Sequence, residues 1–272
     1  MSTLDASTDT YAERRARLFA ALDGLPAVAV AFSGGVDSSV LLHAAHARLG
    51  ARAIGVIADS ASLPRAELEA ARDVARAIGV ELVELATEEL SDPRYQENAG
   101  DRCYFCKHAL FTGLDELCRA RGIAFQAFGE IADDLALLRH GSRAAREFGV
   151  LAPLSQAGFT KADVRRYAAE NRIASADKPA SACLASRLPT GTRVTRERLA
   201  RIERAESSLR ELGFRVLRVR DHEPLARVEV GAEELIRARG LEAEITARLL
   251  GLGFERVELD SYSAPRATYG VR

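Results

Sequence analysis

The 272-residue chain carries no excess charge of either sign, 38 basic against 39 acidic residues. That balance weighs against a nucleic-acid binder working mainly through backbone electrostatics. No apolar run approaches the roughly 18 uncharged residues a membrane-spanning helix needs, so no membrane partner is expected. The opening residues, MSTLDASTDTYAERRARLFAAL, lack the uninterrupted apolar core of a secretory signal and read as an amphipathic helix. These absences predict a cytoplasmic protein. Cysteine is scarce, four in all, and in a reducing compartment a structural disulfide is a poor default. A Cys-x-x-Cys pair is there more often a metal, cluster or redox site. His43, His46, His108, His140 and His222 show no ligand spacing, which speaks against a histidine metal site.

What the chain does have is alternation. Short β-branched runs at 27–32, 52–58, 80–85 and 124–128 read as strands, and amphipathic stretches at 37–49, 64–78 and 106–121 as helices. Strands alternating with helices predict an α/β fold with a doubly wound parallel sheet. Thr160 and Asp163 are spaced as a capping box opening another helix. After DKPASACLASRLPTGT the rhythm changes. Helix 195–212, strands 214–219 and 225–230, helix 232–249 and strand 254–259 predict a smaller C-terminal α+β domain. The expected division is 1–180 and 181–272. Within the second part, SSLRELGFRVLRV and ARLLGLGFERVEL share a Leu-Gly-Phe turn into a strand, a weak internal repeat.

The strongest chemical signal follows the first strand: Ser33-Gly34-Gly35-Val36-Asp37-Ser38-Ser39. Adjacent glycines allow a tight turn and close backbone approach, the serines supply hydroxyls, and the next helix offers unbonded N–H groups. The pattern is a phosphate cradle. It lacks the Gly-Lys-Ser/Thr ending of a Walker A loop, and with it the lysine that would sit on the β and γ phosphates.

SGGVDSS resembles the PP-loop of the ATP pyrophosphatases, which cleave ATP between the α and β phosphates. The resemblance implies an adenine nucleotide alpha hydrolase-like fold, ATP and Mg²⁺ as cofactors, and adenylation of an acceptor oxygen that a sulfur or nitrogen nucleophile then displaces. Further blocks in order, DRCYFCK, Asp133-Asp134, APLSQAGFTKADVR, DKPASACLASRLPTGT and RVRDHEPLARVEV, resemble the LarE family. By that resemblance the chain is an ATP-dependent sulfur transferase. It would convert the carboxylates of a pyridinium-3,5-dicarboxylate mononucleotide to thiocarboxylates for nickel-pincer cofactor synthesis.

The resemblance also places residues. Cys183 occupies the sulfur-delivering position. With Cys103 and Cys106 it forms the set that, in three-cysteine members, holds a 4Fe-4S cluster with one iron open for a transferable sulfide. Soft thiolates and an open coordination site suit that chemistry. Structural zinc, with His108 or another fourth ligand, is the alternative. Cys118, further along the same helix, reads as a packed small hydrophobe. Ser33, Gly34, Gly35, Asp37, Ser38 and Ser39 would bind nucleotide, as would Gly129, and Asp59 and Ser60 after the second strand, since doubly wound sheets bind ligands at strand C-termini. Arg218 and Arg220 alternate along a strand, so both point to one face and suit bidentate capture of a substrate phosphate. Arg187 and Lys178 could stabilise AMP or the carboxylate, or be surface charge, and Glu206 matches a family site acid. A sulfur-donor system and a homo-oligomer are the partners implied.

Departures from the family pattern are confined. Gly129-Glu130-Ile131-Ala132-Asp133-Asp134 carries Ile in place of the usual Asn, DLALLRHG lacks an Asp-Tyr-Arg-Pro pattern, Ala176 beside Asp177 replaces Trp, and the ending LDSYSAPRATYGVR is atypical. They touch the acceptor pocket and subunit contacts, and leave the loop and cysteines intact. Two other readings stand beside the first. Thiolation of tRNA, also adenylating, predicts a basic face that the charge balance does not provide. A non-catalytic nucleotide or metal sensor predicts ATP binding without pyrophosphate release.

Overall fold

The computed structural model describes residues 9–135, 140–176, 178 and 182–262. The first eight residues of the expected N-terminal helix, residues 136–139 of the DLALLRHG stretch, Asp177, residues 179–181 and the ending from 263 lie outside these. Along the chain the elements run α1 (Tyr11–Asp23), β1 (Val28–Ala31), α2 (Val36–Leu49), β2 (Ala53–Asp59), α3 (Arg65–Ile78), β3 (Glu81–Ala86), α4 (Pro93–Glu97), α5 (Arg102–Arg121) and β4 (Phe125–Phe128). Short helices α6 (Ala132–Leu135), α7 (His140–Glu147) and α8 (Pro153–Gln156) follow, then α9 (Lys161–Glu170), α10 (Arg196–Arg210), β5 (Leu217–His222), β6 (Leu225–Val230), α11 (Leu235–Gly240), α12 (Glu242–Leu250) and β7 (Arg256–Ser261). Two compact units result. The larger comprises the chain up to Asp59, Arg65–Thr87 and Cys106–Ser181, and the smaller Ser60–Pro64, Glu88–Phe105 and the chain from Ala182.

In the larger unit a parallel sheet has the order β3-β2-β1-β4. Val28 of β1 lies opposite Ala53 on one side and Phe125 on the other. A strand paired on both edges and covered on both faces has no solvent side, so β1 is buried throughout and is written as a continuous apolar run. The chain steps outward from β1 to β2 and β3, then returns to the opposite side of β1 for β4. The order therefore reverses between β1 and β4, which is where open α/β sheets bind ligands. Helix α9 starts as predicted: Thr160 and Asp163 cap it reciprocally. Asp163 also takes a forked pair from Arg14 of α1 at 2.9 and 2.8 Å.

The smaller unit carries a sheet of order β5-β6-β7, with β5 antiparallel and β7 parallel to β6. Alternation is strict here: Leu217, Val219, Ala226, Val228 and Val230 face a core completed by Leu209, Phe214, Ile245, Leu249 and Phe254. The Leu-Gly-Phe repeat has a common physical cause. Each glycine turns with positive φ after a helix, Gly213 at 85° and Gly253 at 90°, and each phenylalanine then plugs the same core.

Two expectations need correction. The helix expected over 232–249 is a 3-10 turn, Ala232–Glu234, followed by α11 and α12, which meet at Leu241 (φ −107°, ψ 11°). Gly240, a weak helix former, ends α11. Helix α5 begins at Arg102, one turn before the expected 106, so both Cys103 and Cys106 are helical.

Candidate functional site

Beyond β1 the backbone turns into α2 through the glycine pair. Gly34 has φ +69°, and a Cβ there would lie 2.9 Å from the Cβ of Ala71 on α3, so both conformation and space require glycine. Gly35 is the N-cap of α2 and no side chain caps it, leaving the first N–H groups of the helix to face the loop. The serines shape this turn. The backbone N–H of Ser33 donates to Ser38 Oγ at 3.2 Å, and the hydroxyls of Ser38 and Ser39 donate to Gly35 O at 3.1 and 2.8 Å. Ser38 and Ser39 are buried, whereas Ser33 is exposed.

The other wall of the switch point is the chain leaving β4. A Cβ on Gly129 would lie 2.7 Å from Ser38 N and 2.9 Å from Ser38 Cα, so this segment is pressed against the first turn of α2. Ile131, where the family pattern has Asn, is buried. The acidic pair next to it is structural here: Asp134 accepts from the Ile131 N–H at 3.3 Å and Asp133 from the Lys161 N–H at 2.6 Å. Asp59 ends β2 in an ion pair with Arg65 at 2.5 Å. Ser60 belongs to the smaller unit, where its hydroxyl oxygen accepts from the Ser62 N–H at 3.2 Å.

Tertiary structure supplies what the loop lacks in sequence. Lys161 at the start of α9 places Nζ 2.8 and 2.9 Å from the carboxylate oxygens of Asp37. Lys178 places Nζ 2.6 Å from Glu67 and 3.4 Å from Gly34 O. The chain has three lysines, Lys107, Lys161 and Lys178, and uses arginine for its other cations. An ammonium is a compact charge on a flexible stem, suited to a phosphate, and two of the three stand at this loop. Lys161 lies within the FTKADVR block, where nothing local ties residue 161 to residue 37.

The thiol expected to deliver sulfur lies in the smaller unit. Cys183 is half-buried and precedes a 3-10 turn, Leu184–Arg187. The N–H of Leu184 donates to Ser62 O at 2.8 Å, and the Ser186 hydroxyl to Cys183 O at 2.7 Å. Arg187 is 1% exposed, which overturns its reading as surface charge. Its Nε and Nη2 donate to Glu206 at 2.8 and 3.2 Å. Glu206, 0% exposed, also accepts from Arg210 at 2.9 Å and from the Val219 N–H at 3.1 Å.

Arg218 and Arg220 lie on the same face of β5, both half-buried. Arg220 donates to Glu229 at 2.8 and 3.0 Å and to Ser186 O at 3.0 Å. Arg218 donates to Leu217 O at 2.7 Å and lies over the Tyr262 ring. Burial, and next the Arg187 cation, lower the Arg218 pKa, so an anion beside it would be favoured. Sequence reasoning missed Asp221, 0% exposed, which takes Arg198 at 3.3 Å and Arg201 at 2.7 Å and secures the strand that carries Arg218 and Arg220.

Cys103 and Cys106 are one helical turn apart and share a face of α5, Cys103 exposed and Cys106 half-buried. Three thiolates suit an iron-sulfur cluster chemically. Among the described residues no group of three or more His, Cys, Asp or Glu side chains could hold a metal ion. No helix of the described residues is long and apolar enough to cross a membrane.

No protein-family model matches the chain. Individual proteins do. It is 34% identical over 252 residues to pyridinium-3,5-bisthiocarboxylic acid mononucleotide synthase of Lactiplantibacillus plantarum, spanning 92% of this chain and 91% of that protein. The chain belongs to the LarE family. An uncharacterized Synechocystis protein is 40% identical over 76% of the chain and 77% of its own length. An uncharacterized Methanocaldococcus jannaschii protein is 30% identical over 59% of the chain and 63% of its own length. The parallel sheet, the glycine loop at its switch point and the small mixed sheet agree with the LarE fold.

Proposed function

We propose that the protein is a cytoplasmic, homo-oligomeric ATP-dependent sulfur transferase that makes thiocarboxylates on a pyridinium-3,5-dicarboxylate mononucleotide, the route to a nickel-pincer cofactor. A carboxylate oxygen of the acceptor attacks the α phosphorus of ATP, the bond to the bridging oxygen breaks, and pyrophosphate leaves. Ser33 to Ser39 and the α2 N-terminus are suited to hold that pyrophosphate. Gly129 lets the opposite segment approach, and Asp59 and Ser60 follow the neighbouring strand. Lys161 and Lys178 would exchange their carboxylate partners for phosphate oxygens, and Mg²⁺ bound with ATP would neutralise further charge.

The Cys183 thiolate then adds to the acyl carbon and AMP leaves with the C–O bond electrons. Loss of the Cys183 Cα proton and cleavage of its Cβ–S bond leave dehydroalanine in the chain and a thiocarboxylate on the product. A 4Fe-4S cluster, with Cys103, Cys106 and Cys183 as candidate ligands, would instead supply a labile sulfide from a donor system and spare Cys183. Arg218 and Arg220 are suited to the acceptor phosphate.

One observation carries this reading: a glycine loop with two attendant lysines at the switch point, in a chain aligned over 92% of its length with a bisthiocarboxylic acid mononucleotide synthase. Anaerobic purification, iron and sulfide analysis, and intact mass before and after turnover with ATP and acceptor test it. AMP, pyrophosphate and thiocarboxylate in equal amounts are expected. ATP binding with no pyrophosphate release would refute it.

A further inference from the structure

Glu206 matches a family site acid and Arg187 is a candidate partner for AMP or the carboxylate, yet neither is open to a ligand. They are 1% and 0% exposed. All three guanidinium nitrogens of Arg187 are engaged: Nε and Nη2 on Glu206, and Nη1 on the carbonyls of Ala182 at 2.6 Å and Cys183 at 2.9 Å and on Ser186 Oγ at 3.1 Å. Glu206 is equally committed, each oxygen serving Arg187 and one further donor, the Val219 N–H of β5 or Arg210 of α10. The carbonyls flanking the Cys183 thiol are thus bonded to a side chain that is itself clamped to a helix and a strand. Arg220, holding Ser186 O at 3.0 Å, ties the same loop from β5.

We infer that Arg187 and Glu206 are positioning residues: they clasp the backbone on either side of Cys183 to α10 and β5, fix where its thiol is presented, and touch no substrate. Anion capture falls to Arg218 and Arg220. The role in sulfur transfer rests on the function proposed above, whereas the clasp does not.

Alkylation of the full chain with iodoacetamide, followed residue by residue by peptide mass spectrometry, reads the loop without ATP or acceptor. Arg187→Lys keeps the charge and loses the fork, so Cys183 should react about tenfold faster while exposed Cys103 keeps its rate as internal control. Glu206→Gln keeps the shape and should give about a threefold rise. In turnover both variants should lose kcat at unchanged half-saturation for the acceptor. Unchanged Cys183 alkylation in these variants, or raised half-saturation with unchanged kcat, overturns the inference. Should they not fold, Ser186→Ala, which removes only the hydroxyl shared by Arg187 and Cys183 O, must still speed alkylation, and an unchanged rate there refutes the clasp. A wild-type protein that makes no thiocarboxylate would remove the proposed function and leave the alkylation result to decide the clasp.

Discussion

Gly129→Ala isolates the wall of the nucleotide loop. The added Cβ would sit 2.7 Å from Ser38 N, 2.9 Å from Ser38 Cα and 3.0 Å from the Asp37 carbonyl carbon, all backbone atoms of the first turn of α2. A side-chain tip could rotate away, but these atoms cannot, so the β4 exit and the α2 N-terminus must separate by several tenths of an ångström. Overpacking of this kind costs about 1–3 kcal/mol. For a unit of this size that lowers the melting temperature by about 3–8 °C. Because the displaced turn is the one proposed to hold pyrophosphate, its formation should fall about tenfold or more. The control is Gly24→Ala at the end of α1, where φ is −72° and the nearest atom to a new Cβ is 3.7 Å away. Scanning calorimetry and a pyrophosphate-release assay on the two variants decide the matter. A Gly129→Ala protein that melts and turns over like Gly24→Ala would refute the close-approach argument.

Other outcomes follow from the same structure. Lys161→Arg keeps charge but not the compact ammonium that reaches Asp37, and should weaken ATP binding about tenfold by calorimetric titration, with the fold intact by circular dichroism. Burial raises the Cys118 pKa to about 11, so the folded state retains a proton that the unfolded chain loses near pH 9. Stability should therefore be full below about pH 9 and decline by about 2–3 kcal/mol towards pH 11. Cys118→Ala should remove that decline, and the loss that remains above pH 10 comes from Tyr11 and Tyr167, whose hydroxyl pKa values burial also raises. Phe254→Ala should destabilise the smaller unit by about 3–5 kcal/mol in urea titration, and Phe214→Ala should match it if the two Leu-Gly-Phe turns are equivalent plugs.

Local chemistry alone determined much of this protein. The β1 run, the Thr160 and Asp163 cap and the alternation of β5 and β6 are written in short-range patterns, because burial periodicity and capping act over a few residues. The glycine loop was legible for the same reason: both its conformation and its hydroxyls lie within seven consecutive positions. Helix ends were less legible, as at α5 and at Leu241, since a turn of helix is gained or lost for little free energy.

Tertiary structure decided the charges. Lys161 meets Asp37 across more than a hundred residues, and Arg187 meets Glu206 beneath the surface, pairings that no spacing rule encodes. A charged side chain looks solvated in sequence until the fold shows whether water reaches it. Arg187 and Glu206 are shut away together because a buried charge is tolerated only when another neutralises it and every donor is used.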